Sequence, residues 1–228
     1  MDMSGKLLTC ALAVLLAVET VCAQRIPADY SYRGMTFRGT VFLPSTVIFN
    51  DCRFVTDSVV LEHSFGAVFR NCTFECRSDV MYLAESGSGM ALVDCVVSGP
   101  EEVRFSRVST PADRNYLTGL TLNGHQCGAA DEDSETVIEL DGLEMGDALR
   151  RRNPGNEILF ARIVGEDGCL TLQGVEKDMF VGWCCQDSLF SVRVTSDSRT
   201  CVVEGSGSAV VSAYTEYGIE ASKIVRLK

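Results

Sequence analysis

Histidine, proline and tryptophan are scarce in this chain, at two, five and one residues. Each scarcity removes a class of chemistry. His63 and His125 stand at no metal-ligand spacing and the cysteines form no paired CxxC, so the zinc signature is absent and no cofactor is expected. Neither histidine lies near a GxSxG elbow, which leaves Ser-His-Asp hydrolysis without support. Positive charge is also in deficit: 20 Lys and Arg stand against 31 Asp and Glu, a formal charge of −11. Nucleic acid is therefore a poor partner, and anionic lipid heads are disfavoured.

Long apolar runs are missing except at the start. Residues 7–18 form one such run behind Lys6, shorter than the roughly 20 residues that span a bilayer as a helix. Val21-Cys22-Ala23 places small or modest side chains where a signal peptidase reads. Residues 1–23 are thus expected to be a secretory signal peptide cleaved after Ala23, the alternative being an uncleaved anchor. The rest, residues 24–228, is expected to be a single secreted or cell-surface domain with no transmembrane anchor and no lipid-anchor tail. It carries 19 basic and 29 acidic side chains, so 19 − 29 = −10.

Cysteine is abundant. Removing Cys10 and Cys22 with the signal leaves nine: Cys52, Cys72, Cys76, Cys95, Cys127, Cys169, Cys184, Cys185 and Cys201. In an oxidising compartment several are expected to pair, and an odd number leaves one thiol unpaired or bridging to a disulfide-linked partner. Adjacent Cys184 and Cys185 point to opposite faces of a strand, which makes them the candidates for that role.

Three segments share a template of alternating apolar residues, then Asn or Asp, then Cys, then an apolar residue two further on. They are Val47-Ile48-Phe49-Asn50-Asp51-Cys52-Arg53-Phe54, Ala67-Val68-Phe69-Arg70-Asn71-Cys72-Thr73-Phe74 and Met90-Ala91-Leu92-Val93-Asp94-Cys95-Val96-Val97. Their cysteines lie 20 and then 23 positions apart. A degenerate copy is expected around residues 35–42, with Gly39 as its turn residue. A period in the low twenties is the signature of a solenoid, and period-two alternation of β-branched and aromatic residues makes the repeating unit a strand. The coil of a parallel β-helix fits best. Successive turns at roughly 4.8 Å would stack Asp51, Asn71 and Asp94 at a corner, where Asn and Asp tolerate left-handed backbone. Cys52, Cys72 and Cys95 would stack beside them, either bridged or as buried reduced thiols.

Beyond Gly99 strand-like pieces recur at 101–108, 117–122, 137–143, 158–164, 169–175, 189–194, 200–203, 209–213 and 219–225. A short helix fits 141–152, and the coil is expected to continue to the end. An immunoglobulin-like sandwich is the rival fold and would lack stacked ladders.

Other candidate sites are weaker. Asn71-Cys72-Thr73 matches the N-glycosylation sequon, in competition with the corner role of Asn71. Asp131, Glu132, Asp133 and Glu135 offer oxygens but lack calcium-loop spacing, and Arg150, Arg151 and Arg152 read as a charged loop before a glycan site or a processing site. Trp183 reads as core before carbohydrate platform.

The repeated Asn/Asp-Cys segments over residues 33–97, together with the export signal, resemble right-handed parallel β-helix (pectate-lyase-like) surface proteins, particularly the dispersed gene family of trypanosomatids. The resemblance implies a secreted or cell-surface adhesion protein that binds an extracellular protein or glycan. The wider superfold also contains polysaccharide lyases and hydrolases, but no Asp-rich strand motif of theirs is present, so an enzyme is the alternative reading. The chain stops after the strand-like 223–227 without a cap. An open rung exposes an unpaired edge, so either a longer solenoid continues or a partner covers it.

Overall fold

The computed structural model describes residues 24–25, 31–43, 47–61, 67–85, 89–107, 114–128 and 159–228. The signal segment, His63, the acidic loop at 131–135, the predicted strand at 137–143, the predicted helix at 141–152 and the Arg150–Arg152 run lie outside the described residues. Every regular element among the described residues is a β-strand.

Three sheets share the first half of the chain. One contains, in chain order, β2 (Ser31–Arg33), β5 (Val47–Asn50), β8 (Ala67–Arg70), β11 (Met90–Val93) and β14 (Tyr116–Thr118). A second contains β3 (Thr36–Arg38), β6 (Arg53–Val55), β9 (Thr73–Glu75), β12 (Val96–Ser98) and β15 (Thr121–Leu122). A third contains β1 (Gln24–Arg25), β4 (Val41–Leu43), β7 (Ser58–Leu61), β10 (Val80–Glu85) and β13 (Glu102–Phe105). The chain visits the sheets cyclically, one strand in each, and every pairing among these strands is parallel.

Alternation decides which side chains face inward. In the first sheet Tyr32, Phe49, Phe69, Leu92 and Leu117 are in register and buried. In the second, Phe37, Phe54, Phe74, Val97 and Leu122 form the facing column. Phe49 and Phe69 stack with centroids 5.0 Å apart and planes 10° off parallel, as Phe54 and Phe74 do at 5.0 Å and 15°. Between columns the rings meet edge-on, for example Phe49 against Phe54 at 5.1 Å and 80°. Each such contact adds about 0.5–1.5 kcal/mol beyond area burial.

The turn between first and second sheets repeats one conformation. Gly34, Asp51, Asn71, Asp94 and Gly119 succeed the registered positions Arg33, Asn50, Arg70, Val93 and Thr118, and all have φ between 51° and 66°. The first copy of the repeat is therefore framed on Gly34, with Met35 in the cysteine position, and not on Gly39 as the sequence suggests.

The parallel winding ends at β15, where the expected continuation gives way to antiparallel pairing. Asn123 and Gly124, with φ of 49° and 84°, turn the chain into β16 (His125–Gln126), antiparallel to β15. A two-residue Asn-Gly loop with both φ positive matches strand twist in a hairpin. From residue 159 onward β17 (Arg162–Glu166), β18 (Cys169–Gln173), β21 (Thr200–Glu204) and β20 (Ser191–Val194) form a four-stranded antiparallel sheet. The third sheet is extended past β13 by β23 (Gly218–Leu227), β22 (Gly207–Thr215) and β19 (Gly182–Cys184), also antiparallel.

The final strand is thus no open rung: β23 lies between β13 and β22. It covers the third sheet's edge as β16 covers the second's, and the first sheet's last strand meets the β22–β23 turn through the bridge between Asn115 and Gly218. Leu170, Leu172, Trp183, Cys201, Val211 and Ala221 belong to a second apolar core inside this antiparallel half.

Candidate functional site

The structure separates the candidate residues into an inward set, a self-paired outward set and an open cleft. Cys52, Cys72 and Cys95 form the inward set, all buried. Each thiol donates to a carbonyl two residues back, Cys72 to Arg70 at 3.3 Å and Cys95 to Val93 at 3.4 Å. None of the nine described cysteines lies at disulfide distance from another. Cys184 and Cys185 are half-buried, and Cys169 is exposed.

The outward set bonds rung to rung. Asn71 Nδ2 donates to Asp51 Oδ1 at 2.8 Å, and Arg53 forms a two-pronged ion pair with Glu75 at 2.7 and 2.8 Å. The Arg53 guanidinium holds the Glu75 carboxyl below its ordinary range. Asn71 is exposed, but its amide nitrogen, the atom a glycan would take, is engaged with Asp51. Asp94 stands at the same corner.

A buried polar junction joins the two halves of the molecule. Glu102 accepts from the Ile163 amide at 3.0 Å and from Arg104 at 2.9 Å. Arg107 bonds Glu176 at 3.0 Å, lies 3.5 Å from Glu220 and sits 5.0 Å from the centre of the Tyr217 ring. Glu220 is 1% exposed and also accepts from the Thr215 hydroxyl at 2.6 Å. Burial raises its carboxyl pKa despite Thr215 and Arg107. Arg104 Nε, Arg107 Nε and Glu220 Oε2 are buried in this junction without a hydrogen-bond partner.

The cleft opens between β19 and β20, the edge strands of their sheets. It has a volume of about 460 Å³, and its walls include Phe180, Trp183, Val194 and Tyr214 with Lys177 and Asp197. Gly182 lets the walls approach: a Cβ there would stand 2.2 Å from the Tyr214 ring, so only glycine allows the ring to lie across β19. Ser198 ties the opposite wall to the same strand, its hydroxyl accepting from the Val181 amide at 3.1 Å and its carbonyl from the Trp183 indole at 2.9 Å. The Asp197 carboxylate takes the Thr195 hydroxyl and the Thr200 amide on Oδ1, and the Thr195 bond holds it below the ordinary carboxyl range.

Phe180 is 71% exposed and Val194 42% exposed at this cleft. With Leu189 they make three of the six large apolar side chains exposed among the described residues, all within residues 180–194. Trp183 is 7% exposed, core on one side and cleft wall on the other. Sequence reasoning named Trp183 but missed Phe180, Tyr214 and Asp197. They come from three separate segments, and the only local signal was the turn composition of Thr195-Ser196-Asp197-Ser198. Among the described residues no group of three or more His, Cys, Asp or Glu converges as a metal site, and no helix is long and apolar enough to cross a membrane. No protein family, curated protein or solved structure matches this chain.

Proposed function

We propose that the protein is a secreted or cell-surface binding protein, in which a right-handed parallel β-helix carries an antiparallel cap with a recognition cleft. The cyclic visiting of three parallel sheets supports the β-helix reading, and parallel crossovers within one sheet are right-handed in about 98% of cases. One observation carries the functional reading. On the coil Asn71 bonds Asp51 and Arg53 pairs with Glu75, whereas on the cap Phe180 and Val194 stand exposed at an open cleft. Exposed apolar groups rimmed by polar ones mark interaction sites.

Two assays on the full chain test this reading. Labelled protein applied to an array of immobilised extracellular-matrix proteins and glycans is expected to bind, and Phe180→Asp is expected to abolish binding without unfolding the chain. Incubation with acidic polysaccharides, with and without calcium, is expected to release no new chain ends. Chain cleavage that disappears on substituting a coil Asp or Arg would replace the binding reading with an enzymatic one.

A further inference from the structure

We propose that the cleft between β19 and β20 binds the end of a neutral saccharide, an assignment that rests on the binding function above and names its ligand class. A sugar ring offers apolar C–H faces and a rim of hydroxyls. The cleft offers the complement: Trp183, Tyr214 and Phe180 supply aromatic surface, and Asp178, Asp197 and Ser196 supply polar groups beside it. Small-ligand sites are mostly apolar with a few placed polar groups, over roughly 300–1,000 Å³, and the cleft's volume of about 460 Å³ falls inside that span. A carboxylate accepts from a hydroxyl in a charge-assisted bond about twice as strong as a neutral one.

Charge selects the kind of sugar. Two carboxylates and one ammonium line the cleft, on a chain of formal charge −11. Uronates and sulfated sugars would meet like charge, while neutral hexoses would not.

The site is built before the ligand arrives. Ser198 fastens the two walls together through Val181 and Trp183, and the Thr195 hydroxyl and Thr200 amide fix the Asp197 carboxylate, whose Oδ2 takes no part in those bonds. Pre-organisation lowers the ordering cost of binding. The same fastening argues against an extended peptide, which recognises a sheet edge through free backbone groups. On this side of β19 the Ser198 hydroxyl already takes the Val181 amide.

Trp183 is the sole tryptophan of the chain, so its emission reads the cleft directly. The test is a fluorescence titration of the full chain with methyl glucoside, methyl galactoside, methyl mannoside, N-acetylglucosamine and their disaccharides, with glucuronate as the charged comparison. A saturable change with at least one neutral sugar is expected, weaker or absent with glucuronate. Phe180→Ala and Asp197→Asn, both at exposed positions, are each expected to weaken it about tenfold while circular dichroism shows both variants folded. Silence with every neutral sugar, a response unchanged in both variants, or tighter binding of glucuronate would overturn the assignment. If the sugars are silent while the array still shows Phe180-dependent binding to a protein, the ligand is a polypeptide. The binding function then stands and the saccharide assignment falls.

Discussion

The side-chain amide of Asn71 reaches back 20 residues to the carboxylate of Asp51, 2.8 Å away, and both residues hold a left-handed backbone at the same corner of successive circuits. One residue type thus does two jobs: it accepts a positive φ and links one circuit to the next. Asn71→Ala removes both. Left-handed backbone disfavours a residue with Cβ by about 1–2 kcal/mol, less for Asn, and the lost hydrogen bond adds about 1 kcal/mol. A destabilisation of about 1–2 kcal/mol is expected in chemical denaturation, with Asn71→Gly milder because it keeps the backbone. Equal loss in both variants would mean that the corner conformation contributes nothing.

The aromatic columns set the second expectation. Phe69 is fully buried, stacked on Phe49 and edge-on to Phe54 and Phe74. Phe69→Ala should destabilise by about 3–5 kcal/mol, and Phe69→Leu by less than about 1.5 kcal/mol if the neighbours repack. Urea denaturation midpoints measure both. A change below 1 kcal/mol for the alanine variant would place Phe69 outside a packed column.

Thiol counting tests whether the cysteines are paired. Six of the nine described cysteines are buried, Cys184 and Cys185 are half-buried, and Cys169 is exposed. Burial also pushes the Cys127 and Cys201 thiols up to about 12 and Cys76 up to about 11, far from the thiolate that reacts. Ellman's reagent on the native chain should modify Cys169 at once, Cys184 and Cys185 slowly and the other six only after denaturation. On protein lacking residues 1–23, a shortfall from nine thiols in denaturant without reductant would reveal disulfides.

Acidity should act through Glu220. Burial raises its carboxyl above the ordinary value of 4.5, so the folded chain holds this proton more tightly than the unfolded one. Its contribution to stability is fully present below that ordinary value and is lost as pH rises through the raised folded value. Glu220→Gln keeps the shape of the protonated form. It is expected to be more stable than the parent at pH 8, with the difference fading as pH falls toward 4.5. Denaturation curves at several pH values measure this. A loss of about 3 kcal/mol at pH 8 would show instead that Arg107 depends on the Glu220 charge.

The repeating parallel strands were legible because their corner chemistry repeats: Asp51-Cys52, Asn71-Cys72 and Asp94-Cys95 mark the same step in three successive visits to the sheets. The first and last circuits were obscured because glycine serves the corner equally well at Gly34 and Gly119, with Met35 and Leu120 following in place of cysteine. Most strands of the second half were also readable, β16 and β19 excepted, but strand direction was not. Alternation of apolar side chains is the same in parallel and antiparallel strands. The reversal was written in two short turns, Asn123-Gly124 and Asp167-Gly168, whose positive φ values close antiparallel pairs. The cleft was invisible because its walls meet only once β19, β20 and β22 are in place.

Nuclear Overhauser contacts between β5 and β8 report the parallel register on which the winding depends. In the structure Val47 pairs with Ala67 and Asn50 with Arg70. Backbone and methyl cross-peaks are predicted for those two pairs, with ring contacts between Phe49 and Phe69. Cross-peaks joining Val47 to Arg70 and Asn50 to Ala67 would instead mean an antiparallel hairpin, and the winding, its capped end and the cleft's place on the cap would all be contradicted.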